Sequence, residues 1–556
     1  MIPMQTTARS FLFFLFLTIA TTGIAQQIGF TGTHFRIPLK DSAGIALSNS
    51  WKATAWKGER VYEQVMVKAS AAKKTVRIAV TDLSNGKGQT IPKQNIHTGF
   101  IGYTWTDEFR NGCGYRKSTD FDSSLVADVI RTDLREAGQE AGENLAAWIS
   151  VQVPENAAAG VYQGSITVDD GKRSRLSIRI QVSERRLPPP AAWSYDLDLW
   201  QHPAAIARVH KTALWSDAHF AAMRPYYTML AAAGQKTITA SVVDEPWGHQ
   251  TYDDYPSLIH WTLKKDGSWR FDYSLFDRYV QFVMDCGIQE RIHCYSMVPW
   301  KIAFRYYDEA LQRDTVFTGA IGTPAYNAFW QPMLTDFTRH LKEKNWFNRT
   351  AIAMDERPMD ALKSVIALLQ SIDPNWKIAL AGAWHPEIEK DIYNYCIASE
   401  SRFPDEVLKR RVQQGKQSTW YTCCTEKYPN GFSFSPPDEH VWLGWYTAAT
   451  GMNGYLRWAY NSWPADPLRD SRFTAWPAGD TYQVYPGPLS SIRFEKMIEG
   501  IQDYEKIRVL QAEYAGAGEN SKLQALQQAL NSFDINRFKE AGATEQLRPY
   551  KALLNP

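Results

Sequence analysis

Thr350-Ala351-Ile352-Ala353-Met354-Asp355-Glu356-Arg357-Pro358 is the stretch on which the reading of this chain turns. Five small or apolar residues end in two adjacent carboxylates, an arginine and a proline. The apolar run predicts a short strand buried on both faces, because Met359 to Ile372 carry helical periodicity directly after it. A buried strand followed by a helix is the unit of a parallel α/β sheet. In (β/α)8 barrels the catalytic side chains sit at the C-terminal ends of such strands. Asp355 and Glu356 fall at that position. Two carboxylates side by side repel, so at least one is expected to titrate abnormally. A single acid there also suits a helix cap, with Pro358 in the first turn of the helix. A pair points to catalysis, since perturbed carboxylates collect in active sites.

Working outward, the residues from about 191 onward alternate strand-like and helix-like runs. Eight strands are expected: Ser194–Trp200, Thr237–Val243, Arg291–Tyr295, Thr350–Met354, Lys377–Ala381, Tyr393–Ser399, Ser418–Cys423 and Gly454–Tyr460. Helical stretches fit between them, with the poorest between the fifth and sixth strands. Ile492 to Tyr514 reads as the last barrel helix. The count is that of a (β/α)8 barrel over residues 191–515. Leu523, Leu526 and Leu530 stand at helical spacing in a C-terminal helical appendage, residues 516–556.

Upstream the texture differs. Val76–Val80, Ala147–Val151, Ser165–Val168 and Leu176–Val182 show period-two patterning, and Asp169-Asp170-Gly171-Lys172 is a hairpin turn. An N-terminal β-sandwich over residues 26–190 follows, closed by the stiff linker Leu187-Pro188-Pro189-Pro190. Residues 1–25 form the charged, apolar and small-residue succession of a secretory signal peptide, with cleavage expected after Ala25. No cysteine follows the apolar run, so no lipid-anchored cysteine is expected there. Export to a periplasmic or extracellular compartment is implied, with no membrane span.

Net charge is +2, which gives no electrostatic case for nucleic acid or an anionic membrane. The chain carries 21 Trp, and six cysteines that show no zinc-ligand spacing. The adjacent Cys423 and Cys424 read as two buried small residues. No strand end collects the histidine, cysteine and carboxylate set of a metal site, so no metal and no cofactor is expected.

The strand ends carry acids and aromatics instead. Asp196, Asp198 and Trp200 end the first. The second ends in Asp244-Glu245-Pro246-Trp247, a rival acidic pair. Trp300 follows the third, Trp384 and His385 the fifth, and Glu400 the sixth. Trp420 and Tyr421 end the seventh, with Glu426 beyond. The eighth carries Trp458, Tyr460, Asn461 and Trp463, then a loop with Asp480 and Tyr485. A sugar-cleaving cleft needs acids for proton transfer at the glycosidic oxygen and aromatic faces for the apolar side of the ring. Each residue has a plainer use: Trp458 and Trp463 as core, His385 as a helix cap, Asp480 as a turn former.

Taken together, Met354-Asp355-Glu356, Trp420-Tyr421-Thr422-Cys423-Cys424, Trp442-Leu443-Gly444-Trp445, Gly454-Tyr455-Leu456-Arg457-Trp458, Gly479-Asp480-Thr481-Tyr482 and Tyr485-Pro486-Gly487 resemble the catalytic domain of glycoside hydrolase family 123. Glu499-Gly500-Ile501-Gln502-Asp503-Tyr504-Glu505 adds to the likeness. The resemblance implies an exo-acting β-N-acetylgalactosaminidase working on a glycan with a terminal 2-acetamido sugar. It implies retaining, substrate-assisted catalysis, in which the acetamido oxygen is the nucleophile. Asp355 would orient the acetamido group and Glu356 would be the acid and base. Substrate contacts are expected from Trp247, Trp300, Trp384, His385, Trp420, Tyr421, Trp458, Asp480 and Tyr485. Three alternatives stand beside this reading: a β-N-acetylglucosaminidase, a double-displacement glycosidase with Glu426 as nucleophile, and a non-catalytic glycan-binding barrel.

Overall fold

The computed structural model describes residues 27–107, 113 and 124–556. The leader expected over residues 1–25 lies outside them. Two antiparallel-dominated sheets form the N-terminal sandwich. One orders Ile28–Phe30, Arg60–Val67, Leu145–Gln152, Ile96–Thr106 and Ser124–Arg131. The other is built on Ser50–Lys57, Arg173–Arg186, Gly160–Asp169, Lys74–Val80 and Glu136–Gln139. Alternation drives it: Leu176, Ile178, Ile180 and Val182 are buried while Ser177, Arg179 and Gln181 are exposed. The expected hairpin at Asp169–Lys172 is present, with Asp169 paired to Arg173.

Eight parallel strands follow: β1 (Asp196–Leu199), β2 (Thr237–Ser241), β3 (Arg291–Tyr295), β4 (Thr350–Met354), β5 (Lys377–Gly382), β6 (Asn394–Ala398), β7 (Gln417–Tyr421) and β8 (Gly454–Arg457). They form one sheet running β1-β8-β7-β6-β5-β4-β3-β2. The last seam, β1 to β2, is closed by the bridge Leu197–Gln235 and by side chains. Gln235 Oε1 accepts from Leu199 N at 2.9 Å, and Gln201 Oε1 accepts from Thr239 N at 2.9 Å. Side-chain amides thus take the place of ladder bonds where the strands diverge. At the β8 to β1 seam, a Cβ on Gly454 would collide with the carbonyl of Asp196, so glycine is required by the close approach.

Helices separate the strands, except that β5 and β6 are joined only by the 3-10 turn Glu389–Asp391. Pro437–Thr450 and Ile492–Ala517 cross where Gly444 meets the Gly500 carbonyl; any Cβ on Gly444 would collide there. That contact accounts for two glycines in the motifs quoted above. One feature is absent from the sequence reading: a four-stranded sheet of His260–Leu263, Trp269–Asp272, Phe304–Asp308 and Arg313–Phe317, inserted in the loops after β2 and β3. The C-terminal helices Asn520–Leu530 and Ile535–Leu547 pack on Pro437–Thr450 and Ile492–Ala517.

Sandwich and barrel meet through a buried ion cluster. Asp128 accepts from Arg36 Nη1 and Arg493 Nε, both at 2.9 Å, and from the Tyr485 hydroxyl at 2.6 Å. No helix among the described residues is long and apolar enough to cross a membrane.

Candidate active site

Strand alternation decides which residues reach the barrel interior. On β4, Ala351 and Ala353 face in, and Ile352 and Met354 pack outward against the helices. Ala379 and Ala381 on β5 and Cys396 on β6 share the interior with Trp200, Trp247, Tyr295 and Tyr421. Small residues on three strands leave room for large aromatics from the others. These rings interlock: Trp200 lies 4.7 Å from Tyr295 and 5.2 Å from Trp247, centroid to centroid.

Above this floor, at the C-terminal ends of the strands, opens a pocket of about 250 Å³. Asp355 and Glu356 line it together with Trp200, Trp247, Trp458 and Trp476. Neither acid caps a helix. The next helix starts at Met359 with Pro358 as its N-cap and no side-chain cap bond. Asp355 continues the inward phase of Ala351 and Ala353. The strand ends at Met354, which releases the alternation and lets Glu356 line the same pocket.

The two acids sit in different chemical settings. Asp355 Oδ2 accepts from Trp300 Nε1 at 3.0 Å, and Oδ1 accepts from the Glu356 amide at 2.9 Å. Burial pushes the Asp355 carboxyl up to about 6, against those two hydrogen bonds. The neighbouring Glu356 charge adds to the rise, but less than burial does. The repulsion argued from sequence is therefore a secondary cause. Glu356 is more exposed and accepts from the Tyr421 hydroxyl. Burial, then the Glu356 charge, raise the Tyr421 phenol, so it stays a donor.

Asp480 also lines the pocket, fixed by Arg457 Nη2 at 2.6 Å. Arg457, buried at the end of β8, also donates to Asn430 Oδ1 at 2.6 Å. Trp458 meets Trp476 edge to face at 5.2 Å.

The structure brings Trp247, Trp300, Asp355, Glu356, Tyr421, Trp458 and Asp480 to this pocket and corrects four of the expected substrate contacts. Trp420 is one residue out of phase with Tyr421. It faces outward, fully buried, and its indole donates to Thr447 Oγ1 at 2.8 Å. Tyr485 is consumed by Asp128 at the domain interface. Trp384 packs on Tyr395 and Phe403, on the outer side of the sheet. His385 follows it there, its amide donating to the Tyr395 hydroxyl at 2.8 Å. Gln250 and Trp476 line the pocket with no signal in the sequence, and Trp200, expected only as a strand end, joins them. Trp200 was recoverable from position; Gln250 and Trp476 lie in long loops with no periodic signal.

The rival acids are engaged elsewhere. Asp244 Oδ1 accepts from Ser257 N at 2.8 Å. Glu245 accepts from the His249 amide at 2.8 Å and from the Tyr255 amide. Both hold their own loop. Glu426 is held by Ser399, by the Cys423 amide at 3.0 Å and by Thr425 at 2.7 Å, outside the pocket. Cys424 forms a disulfide with Cys113, which corrects the reading of Cys423-Cys424 as two plain buried residues. The bond ties the N-terminal region to the pocket rim, where both cysteines lie. Two groups of potential metal ligands occur among the described residues. One is Cys113, Cys423 and Cys424, two of them in the disulfide, and the other is the loop set Glu245, His249 and Asp254.

The arrangement supplies a buried carboxylate oriented by an indole, a more exposed acid oriented by a phenol, and aromatic walls around a space the size of one sugar ring. Comparison with known proteins agrees. Residues 200–510 match the family model "Glycoside hydrolase 123, catalytic domain", and residues 31–170 match "Glycoside hydrolase 123 N-terminal domain". Comparison with curated proteins returns no match. Among solved structures, a family 123 glycoside hydrolase from Clostridium perfringens, described for glycolipid glycan hydrolysis, is 29% identical. It covers 90% of this chain and 91% of its own, with a TM-score of 0.83. A family 39 glycoside hydrolase from Bacteroides cellulosilyticus (9% identity, 82% of each chain, TM-score 0.34) is too distant to inform the site. This chain belongs to glycoside hydrolase family 123.

Proposed function

We propose that this glycoside hydrolase removes terminal β-linked N-acetylgalactosamine by a retaining, substrate-assisted reaction. One observation carries the reading: adjacent acids in unlike settings face a pocket with room for a single ring. A double-displacement glycosidase needs a nucleophile and an acid on opposite sides of the bond, about 5–5.5 Å apart. Here the acids are neighbours in sequence, the third carboxylate of the pocket, Asp480, is paired with the buried Arg457, and Glu426 is tied up outside the pocket. The missing nucleophile is then the substrate's own acetamido oxygen.

In this mechanism the acetamido oxygen attacks C1 as the C1–O bond breaks. Glu356 gives its proton to the departing oxygen. Asp355, ionised, accepts from the acetamido N–H and stabilises the positive charge that develops there. Water then adds to C1, Glu356 takes its proton, and the bond between C1 and the acetamido oxygen breaks, which restores the acetamide. Trp300 fixes the Asp355 carboxylate, and Tyr421 fixes Glu356. A pocket with room for one ring supports exo action. The Cys113–Cys424 disulfide supports an exported protein, because disulfides persist in oxidising compartments.

The test is a panel of nitrophenyl β-glycosides of N-acetylgalactosamine, N-acetylglucosamine and galactose. Turnover is expected on the acetamido sugars, fastest on N-acetylgalactosamine, with little on galactose. A thiazoline analogue of the cyclised intermediate should inhibit. Equal rates on the galactoside would overturn the mechanism.

A further inference from the structure

A second cavity, of about 540 Å³, opens beside the catalytic pocket, and Thr425 lines both. Its walls come from the loop after β6, the loop after β7 and the start of the helix Ile535–Leu547. We propose that it binds the second and third sugars of an oligosaccharide substrate, on the leaving-group side of the cleaved bond. The proposal rests on the functional reading above.

The geometry sets the direction. The catalytic pocket has room for one ring, so the rest of a glycan must cross its rim. Glu356, the proton donor to the leaving oxygen, is held by Tyr421 at the end of β7. The leaving group therefore departs on the β7 side. The loop that continues from β7 is the wall shared by the two cavities, through Thr425. That loop is held in place by Glu426, which bonds Ser399, the Cys423 amide and Thr425. The far wall is also built. Arg402 pairs with Asp534 at 2.6 Å, joining the loop after β6 to the C-terminal appendage.

The lining is strongly polar, with charges of both signs, and offers hydrogen-bond donors and acceptors to sugar hydroxyls. Lys427, Lys539 and the Asn536 amide line the cavity, and none of the three side chains has a hydrogen bond or ion pair within the described residues. Tyr428, a large aromatic left 38% exposed, adds an apolar face of the kind sugar rings pack on. Its ring is braced by Phe538 of the appendage at 5.9 Å. The appendage thus acquires a use beyond covering the barrel helices: it supplies half of an acceptor site.

The experiment compares wild type with Tyr428→Ala and with Lys427→Ala combined with Lys539→Ala. Each is assayed on nitrophenyl β-N-acetylgalactosaminide and on a neutral trisaccharide ending in that sugar. Both variants should hold kcat/KM on the nitrophenyl glycoside within about twofold. On the trisaccharide they should lose about tenfold, mostly in KM. Calorimetry with the disaccharide left after cleavage should show binding to wild type and weakened binding to the variants. This arm needs no turnover, so it separates failure of the subsite from failure of the substrate reading. Unchanged trisaccharide kinetics and unchanged disaccharide binding would overturn the proposal, as would equal losses on both substrates.

Discussion

The indole N–H of Trp300 donates to Asp355 Oδ2 at 3.0 Å, from the loop after β3 to the end of β4. Trp300 is 43% exposed, so burial alone does not fix it. Its amide donates to the Pro246 carbonyl at 2.9 Å, and the Arg357 guanidinium lies 5.0 Å from its ring centroid. Loops after three strands therefore meet at one ring to orient one carboxylate. The bond favours the charged form of Asp355, while burial opposes it.

Replacing Trp300 with Phe removes the donor and keeps the aromatic face. The charged form of Asp355 loses support, so its titration should rise from about 6. A hydrogen bond to a charged group is worth about 1.5–3 kcal/mol, or roughly one to two pH units. In the proposed mechanism Asp355 works ionised, so activity should be present above its pKa and lost below it. The acid limb of the kcat/KM profile should move to higher pH. A limb that stays in place would show that Trp300 does not tune Asp355.

Glu356→Gln and Asp355→Asn should fail in different ways. General acid catalysis contributes about 10²–10⁴-fold, and a nitrophenolate needs little of it. Glu356→Gln should therefore lose far more on a disaccharide than on a nitrophenyl glycoside. Asp355→Asn should slow both, since in the proposed reaction it acts at the acetamido group whatever departs. Near-normal rates for both variants on the disaccharide would remove the pair from the mechanism.

Trp420 and Tyr421 give a test of strand phase. Tyr421→Phe removes the hydroxyl that holds Glu356 and should lower kcat by up to about tenfold, the cost of one ordinary hydrogen bond. Its melting temperature should change little. Trp420→Phe loses core volume and the bond to Thr447. It should destabilise the fold by about 0.5–3 kcal/mol with kcat unchanged. Thermal melts and initial rates on the same two proteins decide the matter.

Asp128 links the sandwich to the barrel. Burial raises its carboxyl, but Arg493 and Arg36 together with the Tyr485 hydroxyl bring it below the ordinary carboxylate value. A depressed folded-state pKa gives stability that is present above the unfolded value, about 3.9, and lost as pH falls through the folded one. Asp128→Asn leaves two buried guanidiniums uncompensated and should cost about 3–5 kcal/mol. Denaturant melts near neutral pH should show that loss. The gap between variant and wild type should narrow in acid, where wild type loses the same charge.

The sequence alone determined the broad architecture, because periodicity is a local property. Period-two runs, then strand and helix alternation, marked a sandwich and a barrel, and an apolar run ending in Asp355-Glu356 marked the mouth of β4. It did not separate Trp420 from Tyr421, since alternation assigns faces only once the core side of a strand is known. Nor did it separate Asp355-Glu356 from Asp244-Glu245 by geometry: both pairs end apolar runs, and only the fold shows the second pair bonded to the amides of its own loop. Tyr485, distant in sequence from Asp128, was drawn into the domain interface. Cys424 found its partner 311 residues away. The walls of the pocket at Gln250 and Trp476 come from long loops, whose positions are set by what they pack against and not by any repeat in their own residues. Contacts between segments far apart in the chain are decided by the packed fold, which is why the architecture was readable in one dimension and half of the pocket was not.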